Sequence, residues 1–143
     1  MSENFHQDLR LGELAEIYVE DILTAHFHEE VERSAIGGKG YDLISKSGIR
    51  FECKYDKMSS ITGNLALEYA YNGKPSGIKV TKADYWVQVM DGDVWIAHTQ
   101  AILQLLFAGY RRMMKVKGGD GGNSSMLLLK KEQWQKVFVK IER

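Results

Sequence analysis

The 143 residues are 44% hydrophobic and 27% charged, with 19 basic and 19 acidic side chains cancelling to zero, which predicts one globular domain spanning residues 1–143 and excludes a fibrous repeat or a disordered tail. No run reaches the roughly 18 to 20 consecutive apolar residues of a membrane span, and the start Met1-Ser2-Glu3 lacks the pattern of a secretory leader, so a cytoplasmic protein with no membrane partner is expected. The lone Cys53 excludes an internal disulfide and a cysteine-rich zinc site.

The zero net charge hides an asymmetry. Residues 1–32 hold nine acids against Arg10 alone, whereas residues 33–143 hold eighteen bases against ten acids, so one part of the fold can offer a positive surface. In the acidic segment Leu14, Tyr18, Ile22 and Ala25 recur at helical spacing, predicting a helix over residues 8–27. Three short strands are expected next, over 31–36, 41–45 and 49–55, separated by Gly37-Gly38-Lys39-Gly40 and Lys46-Ser47-Gly48 as an antiparallel meander. Alternation in Leu65 to Tyr71 predicts a half-buried strand, and the polar stretch 72–77 breaks the pattern. Residues 85–90 and 94–97 form a hairpin pattern around Asp91-Gly92-Asp93. A helix is expected over 99–108 with Thr99 as N-cap and Gly109 as stop, then a glycine-rich loop over 117–125, then a strand and a short helix within 126–141.

The chemistry concentrates in Gly40 to Tyr55. With Gly48 in the left-handed position of a three-residue loop, Leu43 faces Phe51 and Asp42 faces Glu52. That register puts Leu43, Phe51, Tyr41 and Cys53 on one face and Asp42, Glu52, Arg50 and Lys54 on the other, whereas a one-residue slip mixes core and polar side chains. Two carboxylates directly opposite on a sheet repel, and a hard divalent ion with oxygen ligands relieves that repulsion. Lys54 on the same face adds an ammonium suited to orienting water or neutralising a phosphate.

Asp42, nine intervening residues, then Glu52-Cys53-Lys54, preceded by a helix carrying Glu13 and Glu16, resembles the PD-(D/E)XK nuclease superfamily, and Arg33-Ser34 before the aspartate is most similar to archaeal Holliday-junction resolvases and small phage nucleases. The resemblance covers residues 11–55. It implies an α/β (α+β) restriction-endonuclease-like core, ordered helix, β-meander, helix, strand, with a mixed central sheet. It implies a DNA endonuclease dependent on Mg2+ or Mn2+, in a bacterial or phage-infected cell, possessing structure selectivity for branched or nicked DNA and acting as a homodimer. Asp42 and Glu52 take the role of metal ligands, together with the Cys53 carbonyl, Lys54 assists attack of water, and Glu16, on the rim of the stripe Val19, Ile22 and Leu23, is preferred to Glu13 as a further ligand. The proline that precedes the aspartate in many relatives is replaced by Tyr41.

Lys74, Ser76, Lys79 and Lys82 offer ammonium and hydroxyl groups that contact phosphates without reading bases, and Arg111, Arg112 and Lys115 form a basic cluster beside the glycine-rich segment. Gly73-Lys74 is not a P-loop, since Glu68 and Pro75 stand where that motif needs Gly and Ser or Thr, so no nucleotide cofactor is expected. Glu68 shares a strand face with Ala66 and Ala70 and either reaches the metal site or faces solvent. The rival expectation is a catalytically inactive DNA-binding module of the same fold.

Overall fold

In the computed structural model the residues described are 16–34, 41–55, 63–108, 113–117 and 122–142. Helix α1 is described from residue 16 to 27, and Val19, Ile22 and Leu23 are its buried positions. This is the stripe on whose rim Glu16 is expected, and of the other apolar set, Leu14, Tyr18, Ile22 and Ala25, only Ile22 is buried among the described residues. Tyr18 is 47% exposed and Ala25 is exposed too, because the 3.6-residue period fits either set of apolar residues and the packing partner chooses between them. Leu14 and Glu13 lie outside the described residues.

Strands β1 (Val31–Arg33), β2 (Leu43–Ser45) and β3 (Arg50–Tyr55) form the expected antiparallel meander, with Leu43 opposite Phe51 and Ile44 opposite Arg50. Gly48 takes φ +98°, so the loop residue that the register required is the one in the left-handed region. The turn is clamped from outside by Glu29, whose carboxylate accepts hydrogen bonds from the Ser47 N–H and hydroxyl. The Ser45 and Ser47 hydroxyls hold the Glu29 carboxyl below its ordinary value of 4.5. A depressed folded-state value means that the stabilisation is present above the ordinary value and is lost as the pH falls through the folded one. Glu29→Gln is therefore expected to give a shallower loss of stability between about pH 5 and about pH 3 than the parent protein, read as urea midpoints across that range.

Beyond β3 the chain leaves this sheet. Strand β4 (Leu65–Tyr71) turns through Asn72-Gly73 into the short edge strand β5 (Lys74–Pro75). Asn72 and Gly73 have φ +50° and +80°, as a two-residue type I′ hairpin requires. The polar stretch is thus a hairpin, and Pro75 is tolerated because it sits on an edge. After a single 3-10 turn (Gly77–Lys79), the chain returns as β6 (Tyr85–Met90), parallel to β3, and pairs through Asp91-Gly92 with β7 (Asp93–His98). Helix α2 (Thr99–Phe107) follows. Its N-cap is His98, and Thr99 lies inside the helix with its hydroxyl donating to the Ala83 carbonyl at 2.8 Å. Gly109 lies outside the described residues. Strands β8 (Met113–Lys117) and β9 (Asn123–Leu129) take both ends of the segment expected to be loop, and α3 (Lys131–Trp134) and β10 (Val139–Ile141) complete the order.

The strands form a mixed six-stranded sheet, β1-β2-β3-β6-β7-β10, and an antiparallel four-stranded sheet, β5-β4-β9-β8. Val19, Ile22 and Leu23 of α1 pack on one face of the larger sheet against Leu43, Phe51 and Val87. Trp86 and Met90 on its other face pack against Leu65, Leu67, Leu127 and Leu129 of the smaller sheet, with Ile102 and Leu106 of α2. The larger sheet is therefore buried on both sides, which gives an α+β fold with a mixed central sheet. Among the described residues the β3-to-β6 connection carries the β4–β5 hairpin and the 3-10 turn, and α2 follows β7, within the span expected for a helix over residues 99–108. Among the described residues no helix is long and apolar enough to cross a membrane.

Candidate active site

The site forms where β2 stops and β3 continues. Alternation along β3 buries Phe51 completely on the α1 side and leaves Glu52 and Lys54 on the opposite face, where they stand beside Trp86 and Gln88 of β6. The ladder between β2 and β3 reaches Leu43 opposite Phe51 and goes no further. At Asp42 the backbone N–H instead donates to the Phe51 carbonyl at 2.8 Å, and the side chain Oδ2 accepts the Cys53 N–H at 2.9 Å. Asp42 is thus not a ladder partner of Glu52, as the extrapolated register had it. Its carboxylate takes the place of the missing strand and satisfies the next donor of β3. In an extended strand the N–H and C=O of one residue leave on the same side, so the Cys53 carbonyl also points toward Asp42.

Asp42 and Glu52 still feel each other. Glu52, with its side chain 17% exposed, has its carboxyl raised from 4.5, first by burial and then by the Asp42 charge, with Lys54 acting in the opposite direction. Lys54 Nζ lies 3.4 Å from Glu52 Oε1 and 5.8 Å from the Trp86 ring centroid, with half of its side chain open to solvent. Burial pushes the Cys53 thiol up strongly, and the carboxylates of Asp42, Glu52, Glu16 and Glu20 push it the same way, so it stays protonated and is no nucleophile.

Asp42, Cys53 and Lys54 border a cleft of about 430 Å³ whose walls also include Glu16, Arg33 and Tyr55, while Glu52 lies outside its lining. Arg33 and Tyr55 stand outside the site expected from the residue pattern. Arg33 forms an ion pair with Glu16 and approaches Glu20 at 3.5 Å, so the Glu16 carboxylate faces the cleft bound to a guanidinium. Tyr55 follows Lys54 in β3 and so points to the other face; its position beside the motif was the available signal.

Among the described residues no group of three or more His, Cys, Asp or Glu is gathered as a cation cage. The donor set nevertheless fits magnesium or manganese. Magnesium is usually held by one or two carboxylates with substrate phosphates and several waters, and here Asp42, in the cleft wall with Cys53, lies close enough to the Glu52 carboxylate to raise it.

The expected phosphate contacts divide. Lys74, Lys79 and Lys82 are exposed, with Lys79 Nζ 5.3 Å from the Tyr69 ring centroid. Ser76, half-buried, donates its hydroxyl to Glu68 Oε2 at 3.1 Å. Glu68 also receives the Ser124 hydroxyl at 2.6 Å, so both its oxygens are engaged within the smaller sheet. Lys115 lies on β8, and Arg111 and Arg112 lie outside the described residues. Compared with models of known protein families and with curated proteins, the chain matches none.

Proposed function

We propose that the chain is a DNA endonuclease dependent on Mg2+ or Mn2+, of the PD-(D/E)XK type that residues 11–55 resemble. The observation that carries this reading is the convergence of Asp42, Glu52 and Lys54: Lys54 Nζ lies 3.4 Å from Glu52, the Asp42 charge raises the Glu52 carboxyl, and Asp42 and Lys54 line an open cleft, so the carboxylate pair is electrostatically unfavourable in the absence of a cation. Asp42, Glu52 and the Cys53 carbonyl would hold the ion. When bound, it supplies positive charge to the phosphate and makes water a better nucleophile at neutral pH. Lys54, half exposed beside Glu52, donates hydrogen bonds to a phosphate oxygen or to the attacking water. Hydrolysis joins the water oxygen to phosphorus, breaks one phosphorus–oxygen bond to the sugar, and leaves a proton on the departing oxygen. The exposed lysines 74, 79 and 82 add sequence-independent backbone attraction, and pairing of two copies would present two such sites to two strands.

One observation favours the second reading, a DNA-binding module without chemistry: the Glu16 carboxylate is engaged by Arg33. Duplex, nicked, single-stranded and branched DNA, incubated with magnesium, with calcium or with a chelator, separates the two. The endonuclease cuts at least one of these with magnesium, binds without cutting in calcium, and is silent with the chelator. Binding in calcium with no cleavage in magnesium or manganese would establish the module instead.

A further inference from the structure

Along the α1-facing side of β3, burial falls from Phe51, which is completely covered, through half-buried Cys53 to Tyr55, which is 43% exposed. The strand therefore carries an aromatic ring past the end of the apolar core and into the wall of the cleft that holds Asp42 and Lys54. The other phenol in that wall, Tyr41, is covered by the Arg50 guanidinium at 5.7 Å from its centroid, whereas Tyr55 makes no ring contact with another described residue. An exposed ring costs apolar hydration, and here it sits within reach of the groups that would receive a phosphate.

Resting on the nuclease reading, we infer that the cleft takes one unpaired deoxynucleotide, its base stacked on Tyr55 and its phosphate directed to Lys54, so that single strands, flaps and frayed branch points are the substrate class. Two physical points carry this. In an intact duplex both faces of every base are covered by neighbouring bases, so a ring inside a cleft has nothing to stack on until a nucleotide leaves the stack. The cleft, at about 430 Å³, has the volume of a site for a single small molecule. Aromatic stacking also tolerates any base, so Tyr55 would select for an unpaired nucleotide without selecting its identity.

The test measures binding in calcium, where cleavage is silent, of a labelled oligothymidine of about 16 nucleotides and of the same strand annealed to oligodeoxyadenosine. The parent protein is expected to prefer the single strand. Tyr55→Ala should weaken single-strand binding about tenfold or more while leaving the duplex affinity unchanged, and Tyr55→Phe should retain it. Tyr55→Leu preserves apolar volume at the strand end and removes the π face, so it must show the same selective loss even where the alanine variant fails to fold. Undiminished single-strand binding in the leucine variant, or an equal loss on duplex, overturns the inference and leaves the nuclease reading intact. A parent protein that binds neither DNA overturns both.

Discussion

Asp42→Asn is expected to lower magnesium-dependent cleavage on the order of a thousandfold or more while leaving the protein at least as stable as its parent. The two effects have opposite signs because one charge serves both. The asparagine Oδ1 still accepts the Cys53 N–H that Asp42 receives at 2.9 Å, so the end of β2 keeps its tie to β3. What disappears is a negative charge that raises the Glu52 carboxyl. Glu52→Gln should act alike and more strongly on stability, since burial is the largest cause of its shift. Because the folded-state value of Glu52 lies above the ordinary 4.5, the stability it contributes is complete below that ordinary value and is lost as the pH rises through the folded one. At neutral pH the native state therefore holds a partly desolvated charge that the unfolded chain leaves in water, and removing it raises the melting temperature there. Lys54→Ala should reduce the single-turnover rate by roughly a hundredfold to a thousandfold with a smaller change in DNA affinity, as for a group whose interaction strengthens in the transition state. Single-turnover cleavage and thermal melts at neutral pH check the three variants together. Full activity in both Asp42→Asn and Lys54→Ala would end the assignment.

The part of the site that the chain announces is the part set by a period of two. Leu43, Phe51 and Cys53 alternate with Glu52 and Lys54, and Gly48 marks the turn, so register and facing residues follow from short-range rules that hold wherever one face is buried. The departure at Asp42 is not short-range. It arises because β2 begins only at Leu43, and the aspartate before it bonds Cys53 through its side chain where a regular ladder would pair it with Glu52. The Arg33–Glu16 ion pair is equally invisible, since it depends on β1 lying beside α1. Leu65, Leu67 and Tyr69 declare one apolar face, yet alternation does not say which sheet that face will meet, and the second sheet became apparent only through the pairing of β4 with β9. Asn72-Gly73 was a legible hairpin signal. It was obscured by the surrounding lysines, serine and proline, whose composition is that of a loop.

Gly77→Ala is expected to abolish cooperative folding at physiological temperature, although it adds one methyl group. Gly77 begins the 3-10 turn with φ +53°, and a Cβ there would lie 2.1 Å from the Glu68 carbonyl oxygen and 2.8 Å from its carbonyl carbon. Both atoms belong to the backbone of β4, so no side-chain rotation relieves the overlap, and either the turn lifts or the strand yields. Lifting the turn breaks the Ser76 N–H bond to the Tyr69 carbonyl at 3.0 Å and withdraws Ile78, which is 1% exposed, from its packing among Leu67, Tyr69 and Trp86. Left-handed strain costs about 1 to 2 kcal/mol, and loss of a buried isoleucine's contacts adds roughly 2 to 5 kcal/mol. Together these are about 3 to 7 kcal/mol, on the order of half of the ~5 to 15 kcal/mol by which a domain is stable, before the cost of the overlap with the β4 backbone is added. Gly73→Ala is the matched control, because Gly73 has φ +80° but open space around its missing side chain, so only the backbone strain remains. Urea midpoints should place Gly73→Ala modestly below the parent and Gly77→Ala far below it, and equal midpoints for the two would refute the close approach. The turn lies in the connection from β3 to its parallel partner β6, so its failure should also disturb the strand that carries Glu52 and Lys54. Cleavage is then expected to vanish with the fold in Gly77→Ala and to survive in Gly73→Ala.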